Sequence, residues 1–504
     1  MATTYLSPGV YIEEVNKGIK PIEAVGVSTA AFIGISERAT VVDVNGNIVE
    51  SRLNKATLVT NWRQYTQIFG EFVPGIYMPD AVYAYFTNGG GPCYITSVRA
   101  TSDGGAGSEA ASAAVPAAKG TAFKVTANFV GDVANGTQVV VSDGADKDTF
   151  DLSIGDESAK GLSMKKTADN YVGNASFSMA TISDIGTSAP KAGTYEMAGG
   201  GMAPIGISEI VGNLEERTGL AGFEAHDDVR LLTAPDIWVG YDGSDKSKER
   251  IKGIQTAMIA HCEKMRYCFA LLDTPPGLTA QYAKEWREYT NFDTSFGAMY
   301  YPWVKVADLS DSGEQTKMVP PSGTMVGIYN RTDSERGVHK APANEVLRGV
   351  IDVERRITKG EQDILNPMGV NCIREFPGRG IRIWGARTMS SDGSWRYINV
   401  RRLFILIEAS MEVGLQWVVF EPNDPDLWAR VRRDVSTFLR MIWRTGALFG
   451  TTEEAAFYVK CDEELNSFEI RELGQLIIEV GVCPVKPAEF VIFRISQWAG
   501  PNAA

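Results

Sequence analysis

Two aspartates stand where α/β enzymes keep reactive groups. The apolar runs Val229–Thr233 and Cys268–Leu272 read as short strands, ending near Asp236 and Asp273. The carboxyl ends of parallel strands are a usual address for catalysis. The flanking residues, Ala234-Pro235-Asp236 and Asp273-Thr274-Pro275-Pro276, suit ordinary turns and helix N-caps equally well. Pro377-Gly378-Arg379-Gly380 lacks the third glycine of a dinucleotide loop, and no strand-to-helix turn is evident around it. No G-x-S-x-G elbow occurs. His261-Cys262 with Cys268 matches no common zinc spacing, which leaves a partly buried His and two core thiols. Three His in 504 residues offer little for metal binding or proton relay. The expectation is no catalytic residue, no cofactor and no metal. An α/β enzyme using Asp236 or Asp273 is kept as an alternative.

The elements that would carry these residues are legible. Between the two strands, Ile251, Ile254, Met258 and Ile259 are spaced for a helix over 246–265. Strand, helix, strand predicts a parallel βαβ unit in a mixed α/β fold. A second helix starts at Asp424-Pro425, with Asp as N-cap and Pro at the first position, and stops at Gly446. In it Leu427, Val431, Val435, Phe438 and Ile442 fall, at about 100° per residue, within one stripe. Arg430, Arg433, Arg440 and Arg444 form another stripe nearly opposite. That cationic face is either solvated with weak local ion pairs or a docking surface for an acidic partner.

Composition divides the chain further. At 504 residues it is long enough for about three domains. Residues 101–205 contain no Arg, Trp, Cys or His, yet hold 15 Gly and 7 Lys against 12 Asp and Glu. Glycine-rich runs border the segment, and Phe123–Val130, Gln138–Val141 and Thr149–Ile154 inside it look like strands between turns. It is expected to be an inserted, acidic β domain. The remaining organisation reads as an N-terminal arm (1–22), an α/β body (23–100 with 206–380), a C-terminal assembly domain (381–487) and a C-terminal arm (488–504).

The net charge of −13 argues against direct nucleic-acid binding. No secretory start and no apolar run of membrane-spanning length appear, so no direct membrane insertion is expected. Six scattered Cys read as reduced core thiols of a cytoplasmic chain. Each end carries a strand-like run beside a Pro- and Gly-containing linker. These are Val10, Tyr11, Ile12, Glu13, Glu14 and Val15, and Phe490, Val491, Ile492, Phe493, Arg494 and Ile495. They pair either within their own chain or with a neighbour's sheet edge.

Several long strings resemble one family. Tyr5 to Val15 (YLSPGVYIEEV), Tyr300-Tyr301-Pro302-Trp303 and Arg331 to Asn344 (RTDSERGVHKAPAN) are among them. Leu365 to Asn371 (LNPMGVN), Gly378 to Thr388 (GRGIRIWGART), Trp417 to Asn423 (WVVFEPN) and Pro487 to Ile495 (PAEFVIFRI) follow in order. With these the chain resembles the tail sheath proteins of contractile phages and injection systems over roughly 1–100 and 206–500, but not over 101–205. The resemblance implies a structural subunit that polymerises as stacked six-membered rings around an inner tube. It implies contraction that drives the tube through a target envelope. It also implies baseplate and terminator or cap proteins as partners, and assembly in a bacterial cytoplasm into a phage tail or an injection particle. The terminal arms would add strands to neighbouring C-terminal domains, and the Arg stripe becomes a candidate tube-facing surface beside the acidic residues Glu453 to Glu464. A non-contractile shell or baseplate component of the same fold is the nearest alternative.

Overall fold

The structure, a computed structural model, describes residues 22–42, 48–101, 108–128, 130–131, 133–310 and 314–494. Among these the chain forms two compact units, one of residues 26–406 and 486–494, the other of residues 22–25 and 407–485.

An eight-stranded sheet organises the larger unit. From one edge its strands are Gly380–Ile383, Val370–Phe376, Gly297–Tyr301, Phe269–Asp273, Leu231–Thr233, Ala30–Ser36, Cys93–Ala100 and Thr57–Val59. The six inner strands are parallel and the two outer ones antiparallel. Ala30–Ser36, Phe269–Asp273 and Gly297–Tyr301 are buried along their whole length, as parallel strands covered on both faces must be.

Alternate residues of Ala30–Ser36 supply two separate cores. Ala31, Ile33 and Ile35 pack with Ile251, Ile254 and Met258 of the helix Asp245–Met265. Ala30 and Phe32 pack with Val82 and Tyr85 of the helix Met78–Thr87 and with Met325 and Tyr329 of the helix Ser322–Arg336. Helices thus cover both faces of the sheet. The expected βαβ unit is present: Leu231 pairs with Phe269 in parallel register across the helix Asp245–Met265. That helix ends on Arg266 in the left-handed region (φ 62°), with no glycine to announce it.

Residues 108–201 are β-rich. Ser112–Pro116, Thr121–Ala127 and Ala180–Ser183 form one antiparallel sheet. Gln138–Asp143, Phe150–Ile154, Glu157–Leu162 and Gly193–Glu196 form another. Val115, Phe123, Val125, Val139, Leu152 and Ile154 share a buried cluster drawn wholly from residues 111–197. The run expected over Phe123–Val130 is a strand only as Thr121–Ala127. Strands such as Ser112–Pro116 (SAAVP) and Glu157–Leu162 (ESAKGL) escape sequence reading because Ala, Ser, Glu and Lys have little intrinsic β preference. An antiparallel bridge between Glu109 and Gly201 brings the two ends of the segment together.

In the smaller unit the helix Pro425–Arg444 starts as its sequence dictates. The Asp424 side chain accepts from the Leu427 amide at 2.8 Å, and Pro425 occupies the first turn. Gly446 at φ 82° follows its end. Leu427, Val431, Val435, Phe438 and Ile442 are all buried. A two-stranded antiparallel sheet, Phe457–Lys460 with Glu479–Val482, lies further along the chain. The helix Ile398–Gly414 passes without a break from the residues of the larger unit into those of the smaller. Residues 22–25 are held by a bond from the Val25 amide to Ser410 Oγ at 3.1 Å and by Ile22, which packs 2.7 Å from where a Cβ on Gly414 would sit.

Five cysteines, Cys93, Cys262, Cys268, Cys372 and Cys461, are buried and free. Cys483 departs from the expected core position: it follows directly on the edge-lying strand Glu479–Val482 and is exposed. Among the described residues no helix is long and apolar enough to cross a membrane.

Candidate assembly site

The two aspartates cap helices. Asp236 is fully buried; its Oδ2 accepts from the Ile35 amide at 2.6 Å, and its Oδ1 from the Tyr77 and Met78 amides at 2.5 and 3.2 Å. The latter two open the helix Met78–Thr87, whose first N–H groups lack partners within the helix. A side chain at Gly34 would collide with the same carboxylate, so Gly is required there. Asp273 Oδ1 accepts from the Ser322 amide at 2.9 Å, at the start of the helix Ser322–Arg336. Burial raises both carboxyls to about 7 against the lowering effect of these hydrogen bonds. These bonds to both carboxylates come from backbone amides.

The other candidates for chemistry resolve in the same way. Pro377-Gly378-Arg379 is the turn of a hairpin, closed by the pair Phe376 and Gly380, with Gly378 and Gly380 at φ 71° and 78°. His261 is buried beside Cys262, and desolvation lowers its pKa to about 4, so it is neutral at physiological pH. The string from Arg331 holds the fold together. Asp333 receives Arg402 Nη1 at 2.8 Å, Arg402 Nη2 at 2.5 Å and Ser28 Oγ at 2.6 Å, and both charged side chains are nearly inaccessible. Arg331 donates to the Val346 carbonyl at 2.8 Å, and Asn330 to Tyr85 Oη at 3.0 Å. The sequence singled out Asp333 only as part of a string; its partner Arg402 was missed, because 69 residues separate the pair.

The arginine stripe lies opposite the buried face of its helix, but it is not four free cations. Arg440 makes a bidentate pair with Glu453, closing at 2.9 Å from Nη2 to Oε2. Arg430 lies 3.6 Å from Glu421 and 5.5 Å from the centre of the Trp417 ring. Arg433 pairs at 3.1 Å with its neighbour Asp434, and Arg444 is exposed. The acidic run and the cationic stripe therefore partly neutralise each other.

The loop between the two long helices is firmly built. Asn423 accepts from Trp428 Nε1 at 2.7 Å and donates to the Gln475 carbonyl at 2.8 Å. On this frame Phe420 stands wholly exposed at φ 67°.

Of the two terminal runs, Val10, Tyr11, Ile12, Glu13, Glu14, Val15 and Ile495 lie outside the described residues. Phe490, Val491, Ile492 and Phe493 are 72, 69, 79 and 84% exposed and, with Arg494, belong to no strand in the single chain. The sheet of Phe457–Lys460 and Glu479–Val482 gains no third strand from the described residues.

Comparison with known proteins gives this architecture a family. The phage tail sheath protein central domain matches residues 218–389, and the phage tail sheath C-terminal domain matches residues 390–497, together more than half of the chain. The chain belongs to the contractile tail sheath family. Among relatives, a protein named as a prophage major tail sheath protein of Pseudomonas aeruginosa is 27% identical over 58% of this chain and 73% of its own length. The tail sheath protein of Escherichia phage P2 is 25% identical over 57% of this chain and 70% of its own. The cryo-EM structure of the anti-feeding prophage helical sheath in its contracted state aligns over 98% of this chain and 100% of that one, with a TM-score of 0.61 at 26% identity. The contracted sheath complex of the extracellular contractile injection system PVC aligns over 99% of both chains, with a TM-score of 0.59 at 25% identity. The family's central match holds both capping aspartates and the Asp333 centre; its C-terminal match holds the Arg stripe, the two-stranded sheet and residues 490–494. The segment 108–201 falls outside both matches. Sheath proteins are structural subunits of phage tails and injection systems, and the capping role of Asp236 and Asp273 accords with such a part.

Proposed function

We propose that this chain polymerises as stacked hexameric rings around an inner tube and that the polymer contracts to drive the tube through a target envelope. The observation that carries the reading is the end-to-end correspondence with the contracted anti-feeding prophage sheath. Six-membered rings are supported by a second neighbour from that particle's baseplate, solved with six-fold symmetry and aligned over 98% of this chain with a TM-score of 0.59 at 25% identity. Baseplate and cap proteins are the partners such a polymer needs at its ends, and a bacterial cytoplasm is the compartment in which the subunits assemble.

Residues Val10 to Val15 and Phe490 to Ile495 act in this reading as strands donated to a neighbouring copy. The receiving element is the sheet of Phe457–Lys460 and Glu479–Val482, whose outer edges are open among the described residues. Backbone hydrogen bonds would then supply the affinity. The helix Pro425–Arg444 is the tube-facing candidate, with the exposed Arg444 carrying more of the contact than Arg430, Arg433 and Arg440, which are paired within the subunit.

Electron microscopy of the purified full-length chain tests the polymer: tubes or stacked rings are expected, and a monodisperse small oligomer would overturn it. A single polymer length and diameter under every condition would favour a non-contractile shell. Deleting residues 1–20 should leave a folded subunit that forms no sheath; normal tubes from that variant would exclude strand donation by the N-terminal arm.

A further inference from the structure

The C-terminal segment is fastened to its own subunit at one residue. The Glu489 carboxylate receives four bonds: from Arg387 Nε at 2.9 Å, Arg387 Nη2 at 2.7 Å, Asn366 Nδ2 at 2.5 Å and Tyr397 Oη at 3.1 Å. Its donors come from separate parts of the larger unit. Asn366 caps the helix Lys359–Leu365, while Arg387 and Tyr397 face each other across an antiparallel bridge. A bidentate guanidinium–carboxylate pair is roughly twice as strong per bond as a neutral one and fixes geometry as well. Burial acts to raise the Glu489 pKa, but the bonds from Arg387 and Asn366 outweigh it and hold the group below the usual carboxylate range.

Fixation ends abruptly there. From Phe490 to Phe493 every side chain is at least 69% exposed. The other end of the described chain offers a parallel: residues 22–25 are tied to Ser410 and Gly414 of the smaller unit. The two arm roots are therefore made fast to different units of one subunit.

We propose that Glu489 is the anchor of the C-terminal arm, a positioning residue that fixes where the donated strand begins and carries any pull on that strand into the body of its own subunit. The proposal rests on the reading of residues 490–495 as a strand given to a neighbouring copy. Without the anchor, the free length of the arm grows back toward Val485. A longer tether lowers the effective concentration of the strand at its acceptor edge and transmits less force.

The test uses the full-length chain, Glu489→Ala, the charge-swapped pair Glu489→Lys with Arg387→Glu, and a chain lacking residues 490–504. For Glu489→Ala the dispersed subunit should stay folded but melt somewhat below the parent, because Arg387 loses its carboxylate partner. Amide exchange over 486–489 should quicken by about tenfold or more, as expected when a local tie is cut. Sheaths should form in lower yield and break during contraction, and the swapped pair should recover slow exchange and intact sheaths. Parental exchange and intact sheaths in Glu489→Ala, where the deletion blocks assembly, would overturn the anchor and leave the arm reading standing. Unrecovered function in the swapped pair would also count against the anchor. Normal sheaths from the deletion would overturn the arm reading, and with it the load-bearing role.

Discussion

Asp273 keeps its proton to about pH 7, because burial penalises the carboxylate more than the Ser322 amide rewards it. Its folded pKa lies above the unfolded value of 3.8. Between those limits the folded chain binds a proton that the unfolded chain releases, so this group's contribution to stability falls as pH rises from about 4 to 7. Asp273→Asn, which stays neutral and keeps an acceptor for Ser322, should flatten that part of the curve. Denaturant unfolding at pH 5 and pH 8 would show it as a smaller difference between the two than in the parent. Phe420 offers a second test. An aromatic residue at φ 67° costs roughly 1–3 kcal/mol, and full exposure recovers nothing for it. Phe420→Gly should therefore raise the unfolding free energy by about 1 kcal/mol, readable by denaturant titration. The addresses of Asp236 and Asp273 were legible in the sequence, but their roles were not. The amides they cap lie 158 and 49 residues away, beyond the reach of any local pattern.

Elements with a self-contained code were read well. Asp424, Pro425 and the spacing from Leu427 to Ile442 specify the helix Pro425–Arg444 without help from the rest of the chain. Within the segment 108–201 only three of the strands are legible in the sequence, since the rest are defined by partners and not by β-branched or aromatic residues. Its separate buried cluster yields a prediction: replacing residues 103–203 with a short Gly/Ser linker should leave a folded, polymerising subunit, seen by circular dichroism and electron microscopy. An unfolded product would show that the body depends on the insert. The run Phe490 to Arg494 marks the limit of such reading: a strand exists only with a partner, and the single chain supplies none among the described residues.

For the whole molecule, charge and glycine content are unevenly spread. Residues 101–205 hold 15 of the 51 glycines and a net −5 of the −13, while residues 381–504 have 14 Lys and Arg against 16 Asp and Glu. The composition changes at 101 and 205 have no counterpart at 406, where the chain passes from one compact unit to the other. The helix Ile398–Gly414 crosses that point with no Gly or Pro before its last residue. Family membership came from ordered strings that composition could never supply, and residues such as Asp333, Arg387 and Glu489 now give some of those strings a physical purpose.

The pairing of Glu109 with Gly201 has a practical consequence. Strands joined in this way leave a gap of about 5 Å between chain ends, a doorway of fixed width that takes no account of what lies behind it. A foreign module whose own termini meet at that spacing, such as an enzyme, an affinity tag or a fluorescent reporter, can be spliced there. Each subunit of the polymer would then carry one copy.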